Sequence, residues 1–126
     1  MKLNLISGII LFITVVASCS AQTQRLNPDE FEKKSANEQT IIVDIRTPQE
    51  FAAGHLKNAI NINFYSPDFV SSIEKAGKNK NVLIYCASGN RSGQALQKLK
   101  NNSFNSLADL QGGISAWNAA GKQILR

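Results

Sequence analysis

Apolar positions along this chain follow two rhythms, one of strands and one of helices. Ile41-Ile42-Val43-Asp44-Ile45 and Val82-Leu83-Ile84-Tyr85 are too short and too rich in β-branched residues for helices. Their near-unbroken apolarity predicts strands buried on both faces. Ala59-Ile60-Asn61-Ile62 and Ser106 to Leu110 read as two further short strands. The helical rhythm appears in Phe69, Val70 and Ile73 of a helix started by Ser66-Pro67-Asp68, and in Ala95, Leu96 and Leu99 within a helix from Ser92 to about Lys100. Two helix starts are written in one code, a capping residue followed by Pro first and an acid third. Asn27-Pro28-Asp29-Glu30 opens a helix to about Lys34, and Thr47-Pro48-Gln49-Glu50 opens one that stops at Gly54. Lys78 to Asn81 is a polar turn, and Gly112-Gly113 leads into a last helix from Ile114 to Ala120, ended by Gly121. Strands alternating with helices predict an α/β fold of three layers, a mostly parallel central sheet with helices on both faces.

A third kind of run stands at the N-terminus. Lys2 precedes an apolar stretch from Leu5 to Ala17, followed by the small residues Ala17, Ser18, Cys19, Ser20 and Ala21. This is the layout of a secretory signal peptide, and the stretch is shorter than the roughly 20 residues a membrane-spanning helix needs. Val16-Ala17-Ser18-Cys19 resembles the bacterial lipobox, in which the Cys becomes the lipidated new N-terminus. The expected division is therefore a lipoprotein-type signal over residues 1–18, a tether over 19–26 and a folded domain over 27–126. Gln22 to Leu26 are mostly polar and without periodicity, hence the tether. Cleavage after Ala21 is the alternative. The expected location is the bacterial cell envelope, lipid-anchored at the membrane and facing the periplasm or cell surface, or soluble in the periplasm if no lipid is added.

Composition narrows the chemistry. With 126 residues there is room for one domain, and 43% hydrophobic with 18% charged residues is ordinary globular usage. The net charge of +5 is spread, with no basic run longer than Lys33-Lys34, so nothing calls for a nucleic-acid partner. Two cysteines and a single His exclude a four-ligand structural zinc site of Cys and His, and no metal or cofactor is expected. The mature domain is large enough to fold as a monomer. If Cys19 carries lipid or leaves with the signal, Cys86 has no disulfide partner in an oxidising compartment. An unpaired thiol there is a liability unless it is used.

Cys86 ends a predicted buried strand just before a helix, the position where open α/β sheets hold their ligands. The loop Cys86-Ala87-Ser88-Gly89-Asn90-Arg91-Ser92 can turn successive N–H groups inward as an anion-binding nest. Such a nest favours a thiolate, so Cys86 is expected to be substantially ionised at neutral pH, with Arg91 offering a fork of donors to an anionic substrate. The structural alternative is a Cys serving as a small core hydrophobe.

Three segments together reach a family. The loop from Cys86 to Arg91 is one. Asp44-Ile45-Arg46-Thr47-Pro48-Gln49-Glu50-Phe51 with Gly54-His55-Leu56 and Ala59 to Ile62 is the second, and Leu110-Gln111-Gly112-Gly113-Ile114 with Ala116-Trp117 the third. In order and spacing they resemble the rhodanese (sulfurtransferase) domain from about Leu26 to Arg126. The resemblance implies the rhodanese-like fold and a sulfur relay. Cys86 would take the outer sulfur of a small anionic donor such as thiosulfate, hold it as a persulfide, and pass it to cyanide, a thiol or a protein cysteine. The N–H groups of Ala87, Ser88, Gly89, Asn90 and Arg91, with Ser92, would bind the persulfide, and Arg91 would orient the donor's sulfonate end. Asp44, Arg46 and His55 form the structural motif beside the site, with Asp44 and Arg46 forming a charge-assisted pair or binding loop backbone groups, Arg46 alternatively bordering the site, and His55 hydrogen-bonded between backbone segments. Glu50 reads as a capping-box residue and Trp117 as core packing.

Three alternatives stay open. Cysteine phosphatases and arsenate reductases on this fold place Arg six positions after Cys, whereas Arg91 stands five after Cys86 and makes a smaller nest. A non-catalytic binding or regulatory module is the second. A Cys–His hydrolase using His55 is the third, with no orienting third residue identifiable.

Overall fold

A computed structural model describes residues 8–15 and 22–126; the expected signal cleavage region and lipidation residue Cys19 lie outside the described residues. Five strands alternate with five helices. In chain order they are β1 (Thr23–Leu26), α1 (Pro28–Ser35), β2 (Thr40–Asp44), α2 (Pro48–Ala53), β3 (Ala59–Asn61), α3 (Phe69–Gly77), β4 (Asn81–Tyr85), α4 (Asn90–Leu99), β5 (Ser106–Leu110) and α5 (Gly113–Ala119). The strands form one sheet in the order β1-β5-β4-β2-β3, with every pair parallel. The α/β architecture read from the alternation of strands and helices is the one observed.

The period-two rhythm of the central strands sorts their side chains onto two cores. Val43, Ile45, Val82, Ile84, Cys86 and Leu107 face α3 and α4, where they meet Phe69, Ile73, Ala95, Leu96 and Leu99. Ile42, Leu83, Tyr85, Ala108 and Leu110 face α1 and α5, where Phe31, Ile114 and Trp117 wait. Trp117 and Phe31 meet edge to face at 6.2 Å, as do Phe31 and Tyr85 at 6.5 Å.

Three local expectations need correction. Thr23–Leu26, assigned to the tether, are instead an edge strand paired with Leu107–Leu110. Only Leu26 of the four is buried, so an edge strand left no hydrophobic rhythm to read. The helix expected from Ser92 begins at Asn90, because Gly89 at φ 93° completes the turn by itself. α3 starts at Phe69 rather than at Ser66, which sits in a turn closed by the Phe69 N–H on the Ser66 carbonyl (3.1 Å). The two start signals differ as well. Asn27 and Glu30 make the full reciprocal capping box. At Thr47 only half of it forms: the Thr47 hydroxyl accepts from the Glu50 N–H at 3.3 Å, while the Glu50 carboxylate turns to Arg91.

The apolar residues ahead of the domain behave differently from the core. Ile9 through Ile13 and Val15 are 76–90% exposed. Among the described residues no helix is long and apolar enough to cross a membrane.

Candidate active site

β4 ends at Tyr85, and the next residue, Cys86, is buried with 1% exposure at the floor of a short loop. The loop is held from three directions. From α5, the Ile114 N–H donates to the Cys86 carbonyl (2.9 Å) and the Ser115 N–H to the Ala87 carbonyl (3.1 Å). This approach is so close that a Cβ on Gly113 would stand 2.5 Å from both carbonyl oxygens, and Gly113 also has φ 62°. Any side chain there would push the loop off the helix. From α4, the Gly89 N–H donates to Cys86 Sγ at 3.1 Å and the Ser92 N–H at 3.4 Å, with Ser92 Oγ 3.5 Å from the sulfur. From β1, Arg25 Nη2 donates to the Gly89 carbonyl at 2.7 Å.

Behind the sulfur lies a polar network without exposed acidic atoms. Ser92 Oγ donates to Asp109 Oδ2 at 2.7 Å, and Asp109 receives Arg25 through Nε (3.1 Å) and Nη2 (2.9 Å). Asp109 and Ser92 are fully buried. The hydrogen bond to Asp109, with its charge, holds Arg25 above the ordinary arginine range despite some desolvation. A buried carboxylate needs such partners, and here its two donors both also touch the Cys86 loop.

Arg91, on the first turn of α4, lies to one side. Its Nη2 pairs with Glu50 of α2 at 3.0 Å, and its guanidinium carbon stands 5.9 Å from the centre of the exposed Tyr65 ring. Among the described residues, Arg91 Nε and Nη1 make no hydrogen bond. The structure thus brings Ser92 and Gly89 directly onto Cys86, while Arg91 faces α2.

Asp44, Arg46 and His55 build the neighbouring scaffold. Asp44 accepts from Arg46 Nη2 (2.7 Å), from the Arg46 N–H (3.0 Å) and from the Tyr85 hydroxyl (2.6 Å). Arg46 Nη2 also donates to the Gly54 carbonyl at 2.6 Å, so its charge holds α2's end and not the Cys86 loop. Burial pulls the Arg46 guanidinium down, but its hydrogen bond and attraction to Asp44 outweigh this and leave it raised. Burial, followed by the bond to Asp44, pushes the Tyr85 phenol far above its ordinary value. His55 stacks on Phe51 at 3.9 Å, places Nδ1 3.0 Å from the Phe51 carbonyl, and exchanges two backbone hydrogen bonds with Leu125 (2.9 and 2.8 Å). It fastens the C-terminal segment.

Two residues of this site escaped the reading of motifs. Asp109 carried a signal, an acid inside the otherwise apolar run Leu107 to Leu110, where an ionised group demands a partner. Arg25 carried none, because the strand that aims it is the edge strand without a rhythm.

A family model described as Rhodanese-like domain matches residues 27–120. A sulfurtransferase of Allochromatium vinosum is 36% identical over 95 residues, covering 75% of this chain and 86% of that protein. Thiosulfate sulfurtransferase 16, chloroplastic, of Arabidopsis thaliana is 35% identical over 85 residues, covering 60% of this chain and 71% of the relative. The crystal structure of a rhodanese-related protein from Thermoplasma volcanium superposes with a TM-score of 0.70 at 25% identity, covering 81% of this chain and 97% of that one. Other relatives are longer. The chain spans 58% of an uncharacterised Synechocystis protein and 31% of a tRNA uridine(34) hydroxylase of Staphylococcus aureus.

Proposed function

The chain belongs to the rhodanese-like domain family, and from this we propose that it is a sulfurtransferase carrying a sulfane sulfur on Cys86, from an anionic donor such as thiosulfate to cyanide or a thiol. The observation that carries the reading is the pair of N–H groups, Gly89 and Ser92, aimed at Cys86 Sγ. Donors that converge there would be at hand for the outer sulfur when the charge moves one atom outward in a persulfide. The sulfurtransferase names of relatives about one third identical support the same reading.

The reaction needs two displacements at sulfur. The Cys86 thiolate attacks the outer sulfur of thiosulfate, an S–S bond forms, and the old S–S bond breaks with its electron pair leaving on sulfite. Cys86 then holds a persulfide. An acceptor nucleophile attacks the outer sulfur and the pair returns to Cys86 as thiolate. Neither step requires a general base when the nucleophile is already ionised and the leaving group is stable. Arg91 would take the donor's sulfonate with the Nε and Nη1 edge that Glu50 leaves open.

The test is intact mass of the full chain after incubation with thiosulfate, with Cys86→Ser as control. A gain of one sulfur atom, discharged by cyanide and absent from the variant, is expected. No gain from thiosulfate or other sulfane donors would overturn the relay and return the choice to a binding module or a phosphatase.

A further inference from the structure

Because all five strands are parallel, every returning helix ends at the amino end of the sheet, opposite the Cys86 loop. The connections after α1, α3 and α4 lie side by side there. The Asn81 N–H donates to the Gln39 carbonyl (2.8 Å), the Asn79 N–H to Ser103 (3.2 Å) and the Asn105 N–H to Lys80 (2.9 Å). This stitched surface carries Lys33, Lys34, Lys75, Lys78, Lys80 and Lys100, all exposed. The acids on the helices and connections that reach this end include Glu30, Glu32, Glu38 and Glu74, and Glu30 lines one cavity with Lys33 and Lys34.

Elsewhere among the described residues four cations are ion-paired, while Lys57, Lys98 and Arg126 are in no ion pair. Arg25, Arg46, Arg91 and Lys122 are ion-paired to Asp109, Asp44, Glu50, and Asp29 with Glu32. None of the six lysines is in an ion pair among the described residues. Lysines in the last turn of a helix favour its dipole, which accounts for Lys33, Lys34 and Lys75. It does not account for Lys78 and Lys80 in the connection.

A second observation gives this face its occupant. β1 runs parallel to β5, so Thr23 enters the sheet at the same lysine-bearing end. Cys19 stands four residues before Thr23, a reach of at most about 14 Å. Any lipid on Cys19 would hold this end at the bilayer, and the unpaired lysines would lie near the Debye length of about 10 Å from its surface.

We propose that the amino end of the sheet is a membrane-docking face for anionic phospholipid, which orients the domain beside the lipid on Cys19. A diacyl lipid on Cys19 would anchor the chain by itself, and the basic patch would add the attraction to anionic headgroups that decides which end meets the bilayer. The orientation has a functional consequence. A five-residue strand is roughly 16 Å long, so the Cys86 loop at the opposite end faces away from the bilayer toward dissolved donors and acceptors. The docking rests on the lipid reading of Cys19 and is independent of the sulfur relay.

Lysine acetylation footprinting tests it. The full chain, and the full chain carrying Cys19→Ala, are mixed with vesicles of phosphatidylcholine or of phosphatidylcholine with phosphatidylglycerol, and acetylation at each lysine is followed by mass spectrometry. On the anionic vesicles Lys33, Lys34, Lys78 and Lys80 should react roughly fivefold more slowly than on neutral ones, while Lys122 is unchanged. Salt at about 0.5 M should erase the difference in the Cys19→Ala chain. Equal rates on both vesicles overturn the docking face, whatever the result at Cys86. Protection by duplex RNA at equal phosphate, and not by the anionic vesicles, overturns it in favour of a nucleic-acid surface.

Discussion

Arg91 is a cation half engaged. Glu50 holds Nη2, and the Tyr65 ring lies within 5.9 Å of the guanidinium carbon, so the side chain is positioned while its remaining edge stays available. A charged hydrogen bond contributes about 1.5–3 kcal/mol, which sets the expected loss for Arg91→Ala at a rise in the thiosulfate KM of roughly tenfold or more. The rate at saturating donor should fall much less, because Cys86, Gly89 and Ser92 keep their contacts. Initial rates against thiosulfate concentration check this, and an unchanged KM removes Arg91 from donor binding. At this scale the place of Cys86 was legible in the sequence, since a buried strand followed by a glycine turn and a helix leaves few places for it to be. Its supporting pair was not. Asp109 announced a need for a partner without naming one, and Arg25 stands opposite it on the neighbouring edge strand, 84 positions away in sequence.

Elements are joined to one another by buried polar pins as much as by apolar packing. The Tyr85 hydroxyl at the end of β4 donates to Asp44 at the end of β2 and accepts the Leu56 N–H at 3.1 Å, so one oxygen ties two strands to the segment before β3. Tyr85→Phe keeps the ring and leaves a buried carboxylate oxygen and a buried N–H short of a partner. The expected cost is about 1–3 kcal/mol, read as a lowered midpoint in thermal or denaturant unfolding. The pH dependence has a definite sign. The folded phenol is raised, so folding favours its neutral form. That contribution is fully present below the unfolded tyrosine value of about 10 and declines as pH rises above it, and the decline should be smaller in Tyr85→Phe. A variant as stable as the parent would show that the pin contributes nothing. The central strands were readable because burial on both faces leaves no polar side to confuse the pattern. β1 was hidden because its role is to add hydrogen bonds at an edge, which needs only Leu26 to be apolar.

Across the whole molecule, charge and chain direction divide the two ends of one parallel sheet. At the loop end Asp109, Asp44 and Glu50 are paired with Arg25, Arg46 and Arg91, whereas the six lysines at the amino end are in no ion pair among the described residues. Ile9 through Ile13 and Val15, 76–90% exposed, are not part of the domain's core. If Cys19 carries lipid, attachment has two components with different salt dependence. The acyl chains resist salt, while the lysine face is screened by it. Cells producing the full chain should therefore retain it in the membrane fraction through a wash at about 0.5 M salt and release it only with detergent. Cys19→Ala should remain partly bound at low salt through Lys33, Lys34, Lys78 and Lys80, and leave in the salt wash. Fractionation followed by immunoblotting reads both, with incorporation of labelled fatty acid as the direct check on Cys19. A Cys19→Ala chain that resists the salt wash as the parent does would reject lipidation as the anchor and point to the apolar run from Leu5 to Ala17 being kept.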